Sequence, residues 1–322
     1  MRPLVLVTEP EFRRAESTFA SAADVRCEPA PPDEAALAEA VRRSGVRHVI
    51  VGHLPYRGAL YQAVPRGGVI ARFGVGFDGI DRAQATAAGL LCTNTPEVLD
   101  QSVAELTMLL VASVARHVTI LASAMQSGTW QPQQGTELQG KTLAIAGAGR
   151  IGRATARIAA LGYGMRVVGI GRGAGADAAR ASGWFADVTE DWATGVADAH
   201  FVSVHIPATP ANARFVNADR LAQCRPGACL INTARGAVID EVALYDALAS
   251  RRLAAAGLDV FDREPYVPVA ADHDLRRLPN VVLTPHVGSN TADANRRMAE
   301  RALRNVTRAI AEDFAGMDII NK

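Results

Sequence analysis

Four cysteines in 322 residues, Cys27, Cys92, Cys224 and Cys229, are too few and too irregularly spaced for a disulfide framework, and no C-x-x-C pair offers a zinc ribbon or a redox centre. They read as small buried apolar side chains of a protein from a reducing compartment. An excess of one charge is missing too: 34 Lys and Arg against 33 Asp and Glu leave +1, so no global field draws the chain to a nucleic acid or an anionic membrane. Long hydrophobic runs are also lacking. Leu4 to Val7 is too short for a signal-peptide core and meets Glu9 at once. The most apolar long segment, Val103 to Met125, is interrupted by Glu105, Arg116 and His117, which suits a buried or interface helix and not a membrane span. A cytoplasmic protein is expected, with no metal site, no internal repeat and no low-complexity segment.

With 49% apolar and 21% charged residues the chain can collapse around a core, and its length suggests two domains of about 150 residues each. The first ninety or so residues alternate short β-branched runs with helical patterns. Strands are expected at Leu4 to Val7, Val49 to Val51, Val69 to Arg72 and Leu90 to Thr93, with Pro29 to Pro32 as a breaker. Asp33 is placed to cap a helix through Arg43 that Gly45 closes, and a further helix is expected from Asp81 to Ala88. One long helical stretch from about Glu97 to Ser127 follows. From Lys141 a second α/β series begins, with six apolar runs at Thr142 to Ala146, Arg166 to Ile170, Phe201 to Val204, Cys229 to Asn232, Ala255 to Asp259 and Val281 to Leu283. Continuous runs suit parallel strands covered on both faces, and six of them suffice for a dinucleotide-binding sheet. A final helical pattern, Asn290 to Phe314, is long enough to pack back on the first domain.

Gly147-Ala148-Gly149-Arg150-Ile151-Gly152 stands directly after one of these strands and opens a helix. In such a G-x-G-x-x-G turn the first glycine permits the tight turn, the second lets a pyrophosphate reach the backbone, and the third lets helix and strand pack closely. The helix N-terminus adds free N–H donors for an anion. The next strand ends in Gly171-Arg172, where an NAD site places Asp or Glu for the ribose hydroxyls. A missing carboxylate leaves room for a 2′-phosphate, and the guanidinium can hold it through paired charge-assisted bonds. NADP(H) is therefore expected over NAD(H). Later strand ends bring Arg235, Glu264 and His286, a cation, a carboxylate and an imidazole, toward the edge where doubly wound sheets bind ligands.

Together these segments resemble the D-isomer-specific 2-hydroxyacid dehydrogenase family over nearly the whole chain. The resemblance rests on Gly147 to Gly152, His205-Ile206-Pro207-Ala208-Thr209, Asn232-Thr233-Ala234-Arg235-Gly236, Asp259-Val260-Phe261 through Glu264-Pro265, and Thr284-Pro285-His286. Arg72 to Asp81 and the Asn94 to Glu105 junction fit as well. It implies two Rossmann-like, doubly wound parallel-sheet domains: a flavodoxin-like substrate domain, discontinuous over 1–97 and 289–322, and an NAD(P)-binding domain over 98–288, with the site between them. His286 would give a proton to the developing alkoxide, since imidazole, with a reference pKa of about 6.5, can be charged before transfer and neutral after. Glu264 would orient it, and Arg235 would bind the substrate carboxylate. Backbone amides of Val75 and Gly76 would grip the same carboxylate. Asp259 would face the nicotinamide carboxamide, and His205, Pro207, Thr209, Thr233, Ala234, His286 and Gly288 would complete the cofactor site.

Two departures, Gly79 for a frequent Asn and Asn212 for a frequent Thr, read as drift, and His53 and Tyr56 stand equally for substrate contact or loop packing. The chain ends soon after the helix following His286, so the extra regulatory domain of many phosphoglycerate dehydrogenases is not expected. Relatives with these features reduce glyoxylate and hydroxypyruvate, so a small 2-oxo acid is the expected substrate and a homodimer the expected assembly. Phosphite oxidation uses a similar triad. Formate dehydrogenases carry Gln where Glu264 stands. A non-catalytic, dinucleotide-sensing corepressor is the alternative from another class.

Overall fold

The computed structural model describes residues 2–321. The chain divides into two compact units, Met1–Leu99 with Ser289–Lys322, and Asp100–Gly288. In the first, β1 (Leu4–Thr8), β2 (Arg26–Ala30), β3 (His48–Val51), β4 (Val69–Arg72) and β5 (Leu91–Thr93) make one parallel sheet of order β2-β1-β3-β4-β5. That is the flavodoxin-like order, with its reversal between β1 and β3. The Asp33 carboxylate accepts from the N–H groups of Ala35 and Ala36, both at 3.1 Å, and so starts the helix Glu34–Ser44; Gly45 ends it at φ 68°. The breaker expected at Pro29 to Pro32 is displaced, because Pro29 lies inside β2, opposite Val7. A strand at the edge tolerates a residue without an N–H.

In the second unit, β6 (Thr142–Ala146), β7 (Arg166–Ile170), β8 (Asp187–Thr189), β9 (Phe201–Val204), β10 (Ala228–Asn232), β11 (Leu253–Leu258) and β12 (Val281–Leu283) form a parallel sheet of order β12-β11-β10-β9-β6-β7-β8. Successive residues of β6 serve opposite faces. Leu143 and Ile145 join a core with Leu110, Ala156 and Phe201, while Ala144 and Ala146 join one with Val202, Leu230, Leu244 and Leu258. Seven strands replace the six expected. The extra one, β8, is a three-residue edge strand without a fully buried side chain, so it carries no apolar run to betray it.

The expected helix of residues 97–127 is two helices, Asp100–Ala115 and Val118–Gln126, bent by 67° about His117 at φ 54°. The N–H of Thr136 donates to the Ala115 carbonyl at 2.9 Å, taking an acceptor at the point where the helix stops. The first helix is buried along ten of its sixteen residues, and the second has none buried. Among the described residues no single helix is long and apolar enough to cross a membrane. The last helix, Ala292–Ile310, starts at Thr291, whose hydroxyl accepts from Ala294 N–H at 3.1 Å.

Candidate active site

In the second sheet the strand order reverses between β6 and β9, and Gly147 to Gly152 lies at the carboxyl end of β6. Gly147 has φ 101°, and a Cβ there would stand 2.6 Å from the carbonyl oxygen of His205, at the end of β9. Gly149 is the N-cap of the helix Arg150–Tyr163 and faces open space, with no atom within 4 Å of where a Cβ would sit. At Gly152 a Cβ would drive into the Gly147 carbonyl. The three glycines thus supply a turn, an open backbone and a close helix–strand contact, which is what a bound pyrophosphate needs. The Arg150 side chain turns to Asp100, at 3.1 Å, leaving the helix start to its backbone N–H groups.

At the end of β7, Gly171 donates its N–H to Thr189 at 2.9 Å. Arg172 next to it is exposed and in no ion pair among the described residues. His205 Nε2 pairs with Ser203 Oγ at 2.8 Å, and burial pushes the imidazole pKa down to about 4, so the ring is neutral at pH 7. Pro207 and Thr209 form the exposed turn beyond it, closed by the Asn212 side-chain amide donating to the Pro207 carbonyl at 2.9 Å.

Asn232, buried at the end of β10, shapes the next loop: its Oδ1 accepts from Ala234 N–H at 3.0 Å and its Nδ2 donates to the Arg235 carbonyl at 2.9 Å. Thr233 is fixed by Thr107 Oγ1 at 2.8 Å. Gly236 has no space for a side chain, since a Cβ would fall within the Phe261 to Asp262 backbone. Arg235 is therefore held against the segment that leads to Glu264. That carboxylate accepts from Phe261 N–H at 3.0 Å with Oε1 and meets His286 Nδ1 at 2.6 Å with Oε2.

His286 itself sits at φ 52°, a left-handed conformation unusual for a non-glycine residue. Its loop is clamped by Asp259, only 1% exposed. Asp259 Oδ1 accepts from Thr284 Oγ1 at 2.6 Å and Val287 N–H at 2.9 Å, and Oδ2 accepts from Gly288 N–H at 2.8 Å. Burial raises the Asp259 pKa, against the pull of these bonds and of His286. In this structure the Asp259 carboxylate works first as the anchor of residues 284–288.

A family model described as the NAD-binding domain of D-isomer-specific 2-hydroxyacid dehydrogenases matches residues 108–288. The chain belongs to the D-isomer-specific 2-hydroxyacid dehydrogenases. A glyoxylate reductase of Thermococcus litoralis is 36% identical over 304 residues, covering 92% of this chain and 89% of its own. A hydroxypyruvate reductase of Thermotoga maritima is 38% identical over 236 residues, 71% of this chain and 73% of its own. Among solved structures, an NADPH-dependent glyoxylate/hydroxypyruvate reductase of Sinorhizobium meliloti, in complex with NADP and malonate, superposes with a TM-score of 0.79 at 28% identity, over 97% of this chain and 94% of that one. This chain is an NAD(P)-dependent D-2-hydroxyacid dehydrogenase built on two doubly wound α/β sheets.

Within the dehydrogenase several site neighbours carry no sequence motif. Glu241, 6% exposed, begins the helix Glu241–Ala249 and accepts the Asp262 N–H at 2.7 Å, steadying the approach to Glu264; burial raises its pKa, and the nearby Asp262 and Glu264 charges add to the rise. In the first unit, the loop of Val75 and Gly76 is tied to the end of β5. Thr95 Oγ1 accepts from Gly74 N–H at 2.9 Å and Asn94 Nδ2 donates to the Val75 carbonyl at 2.8 Å. At Gly79 a Cβ would stand 2.6 Å from the Leu54 carbonyl oxygen, and the Gly79 carbonyl accepts from Tyr56 N–H at 2.8 Å. Tyr56 is a core side chain, 1% exposed, whereas His53 is exposed on the same loop.

Proposed function

We propose that the protein reduces a small 2-oxo acid, glyoxylate or hydroxypyruvate in kind, to the D-2-hydroxy acid with NADPH. The observation that carries this reading is the 2.6 Å contact of His286 Nδ1 with Glu264 Oε2. With Nδ1 committed to the carboxylate, Nε2 is the nitrogen assigned to the proton transfer, and Glu264 fixes the ring plane. Arg235 binds the substrate carboxylate with a planar fork and polarises the adjacent carbonyl. Val75 and Gly76 are retained as backbone donors to that carboxylate, on the strength of the family resemblance. When bound, the nicotinamide supplies the hydride. Gly147, Gly149 and Gly152 cradle the pyrophosphate, and Gly171 with Arg172 accommodates the 2′-phosphate, which supports NADPH over NADH. Pro207, Thr209, Thr233, Ala234, Asp259 and Gly288 remain the proposed walls of the cofactor site.

A panel of 2-oxo acids assayed with NADPH and NADH tests the reading. Turnover of glyoxylate or hydroxypyruvate with a lower KM for NADPH is expected; nucleotide binding without turnover of any acid would favour a sensor. A homodimer is proposed as well. The helix Val118–Gln126 is apolar yet unburied, and Leu109, Val118, Met125 and Trp130 expose 59%, 49%, 55% and 82% of their surface, which a partner copy would cover.

A further inference from the structure

At the opposite, amino-terminal edge of the second sheet, a cavity of about 380 Å³ opens beside the starts of β9 to β12. Phe201, Cys229 and Ala255 line its inner part. Its polar lining carries two guanidinium groups, Arg225 and Arg251, with the rings of His117 and His200 and the amides of Gln133 and Asn280, and no carboxylate. Neither Arg225 nor Arg251 takes part in an ion pair or a side-chain hydrogen bond among the described residues. Two guanidinium groups at one cavity without a counter-ion give it a local positive field.

The histidines fit the same chemistry. His200 Nδ1 accepts the Thr142 N–H at 3.2 Å, so the ring proton sits on Nε2 as a donor. Burial, with the charges of Arg225 and Lys141, holds the His200 pKa below its ordinary value; Asp198 acts against them from outside the lining. Backbone conformation is a second, independent observation. Arg251 lies just past the end of the helix Glu241–Ala249 at φ 60°, and His117 sits at φ 54° between two helices. A residue just past a helix end in this conformation is usually Gly or Asn. Here the position carries a long cation instead, and that cation lines the cavity.

We propose that this cavity is a binding site for a small multivalent oxyanion, phosphate- or carboxylate-bearing, held by Arg225 and Arg251. It is separate from the dehydrogenase site, which lies at the carboxyl ends of the same strands. Guanidinium pairs recognise both phosphate and carboxylate through paired bonds, and the glycine turn and Arg235 are themselves proposed anion sites, so inorganic pyrophosphate and citrate are titrated separately by calorimetry into R235A and R225Q/R235A/R251G, each first saturated with NADP. Saturable binding of one probe or both to NADP-loaded R235A is expected, weakened about tenfold or more in the triple variant, the loss anticipated for two charge-assisted contacts. Binding of pyrophosphate alone assigns a phosphate-bearing ligand, and of citrate alone a carboxylate-bearing one. No binding at millimolar concentration, or equal binding by the triple variant, would overturn the proposal. R251G installs the residue the turn favours, and R225Q/R235A gives the same reading if the triple variant misfolds.

Discussion

At the scale of single residues, the site depends on a few contacts that leave no slack. Replacing His286 by Ala removes the proposed proton donor and is expected to lower the rate of 2-oxo acid reduction by about 10² to 10⁴. Steady-state rates with saturating NADPH check this. Gly236→Ala tests the packing beneath Arg235 and Glu264, because a methyl group cannot enter the Phe261 to Asp262 backbone without moving it. A fall in kcat/KM of about a hundredfold is expected even in protein that folds, since small displacements of catalytic groups cost about that much; wild-type kinetics would mean that the segment shifts harmlessly. Arg235, Glu264 and His286 were legible in the sequence because charged and titratable side chains at successive strand ends have few structural uses. Glu241 and Gly79 were not. The roles of both arise from groups distant in sequence, the Asp262 N–H and the Leu54 carbonyl.

At the scale of elements, glycines and capping residues marked the boundaries, and the helix Glu34–Ser44 lies between the Asp33 cap and Gly45 as expected. The misses have a common cause. The bend at His117 comes with a hydrogen bond from Thr136, nineteen residues on, and β8 draws its place from β7 and not from its own apolarity. Another element is held by an ion pair. Arg301 on the helix Ala292–Ile310 grips Asp318 through Nε at 2.6 Å and Nη2 at 2.7 Å. Burial alone would raise the Asp318 pKa, but the bonds and charge of Arg301 outweigh it and hold the carboxyl below its ordinary range. A depressed carboxylate pKa adds stability above the unfolded pKa, about 3.9, and loses it as pH falls toward the folded value. Asp318→Asn is therefore expected to cost about 1–3 kcal/mol at pH 7, with the gap to wild type narrowing below about pH 4. Denaturant titrations across pH check this, and a gap that stays constant with pH would contradict it.

At the scale of the whole molecule, the proposed function has a chain of net charge +1 handle an anionic cofactor and an anionic substrate by concentrating cations locally. Arg172→Ala is expected to raise the KM for NADPH by about tenfold or more while leaving that for NADH nearly unchanged; equal effects on both would remove the 2′-phosphate from its assigned place. The proposed homodimer is checked by sedimentation, where Met125→Glu in the exposed helix Val118–Gln126 should shift the mass toward the monomer. The measurement that bears most directly on the central claim is steady-state reduction of glyoxylate and hydroxypyruvate by NADPH, run side by side on wild type and His286→Ala. The proposed chemistry predicts turnover by wild type and a loss of about 10² to 10⁴ in the variant. Wild-type protein that binds NADPH but reduces neither acid, or a variant as fast as wild type, would contradict it.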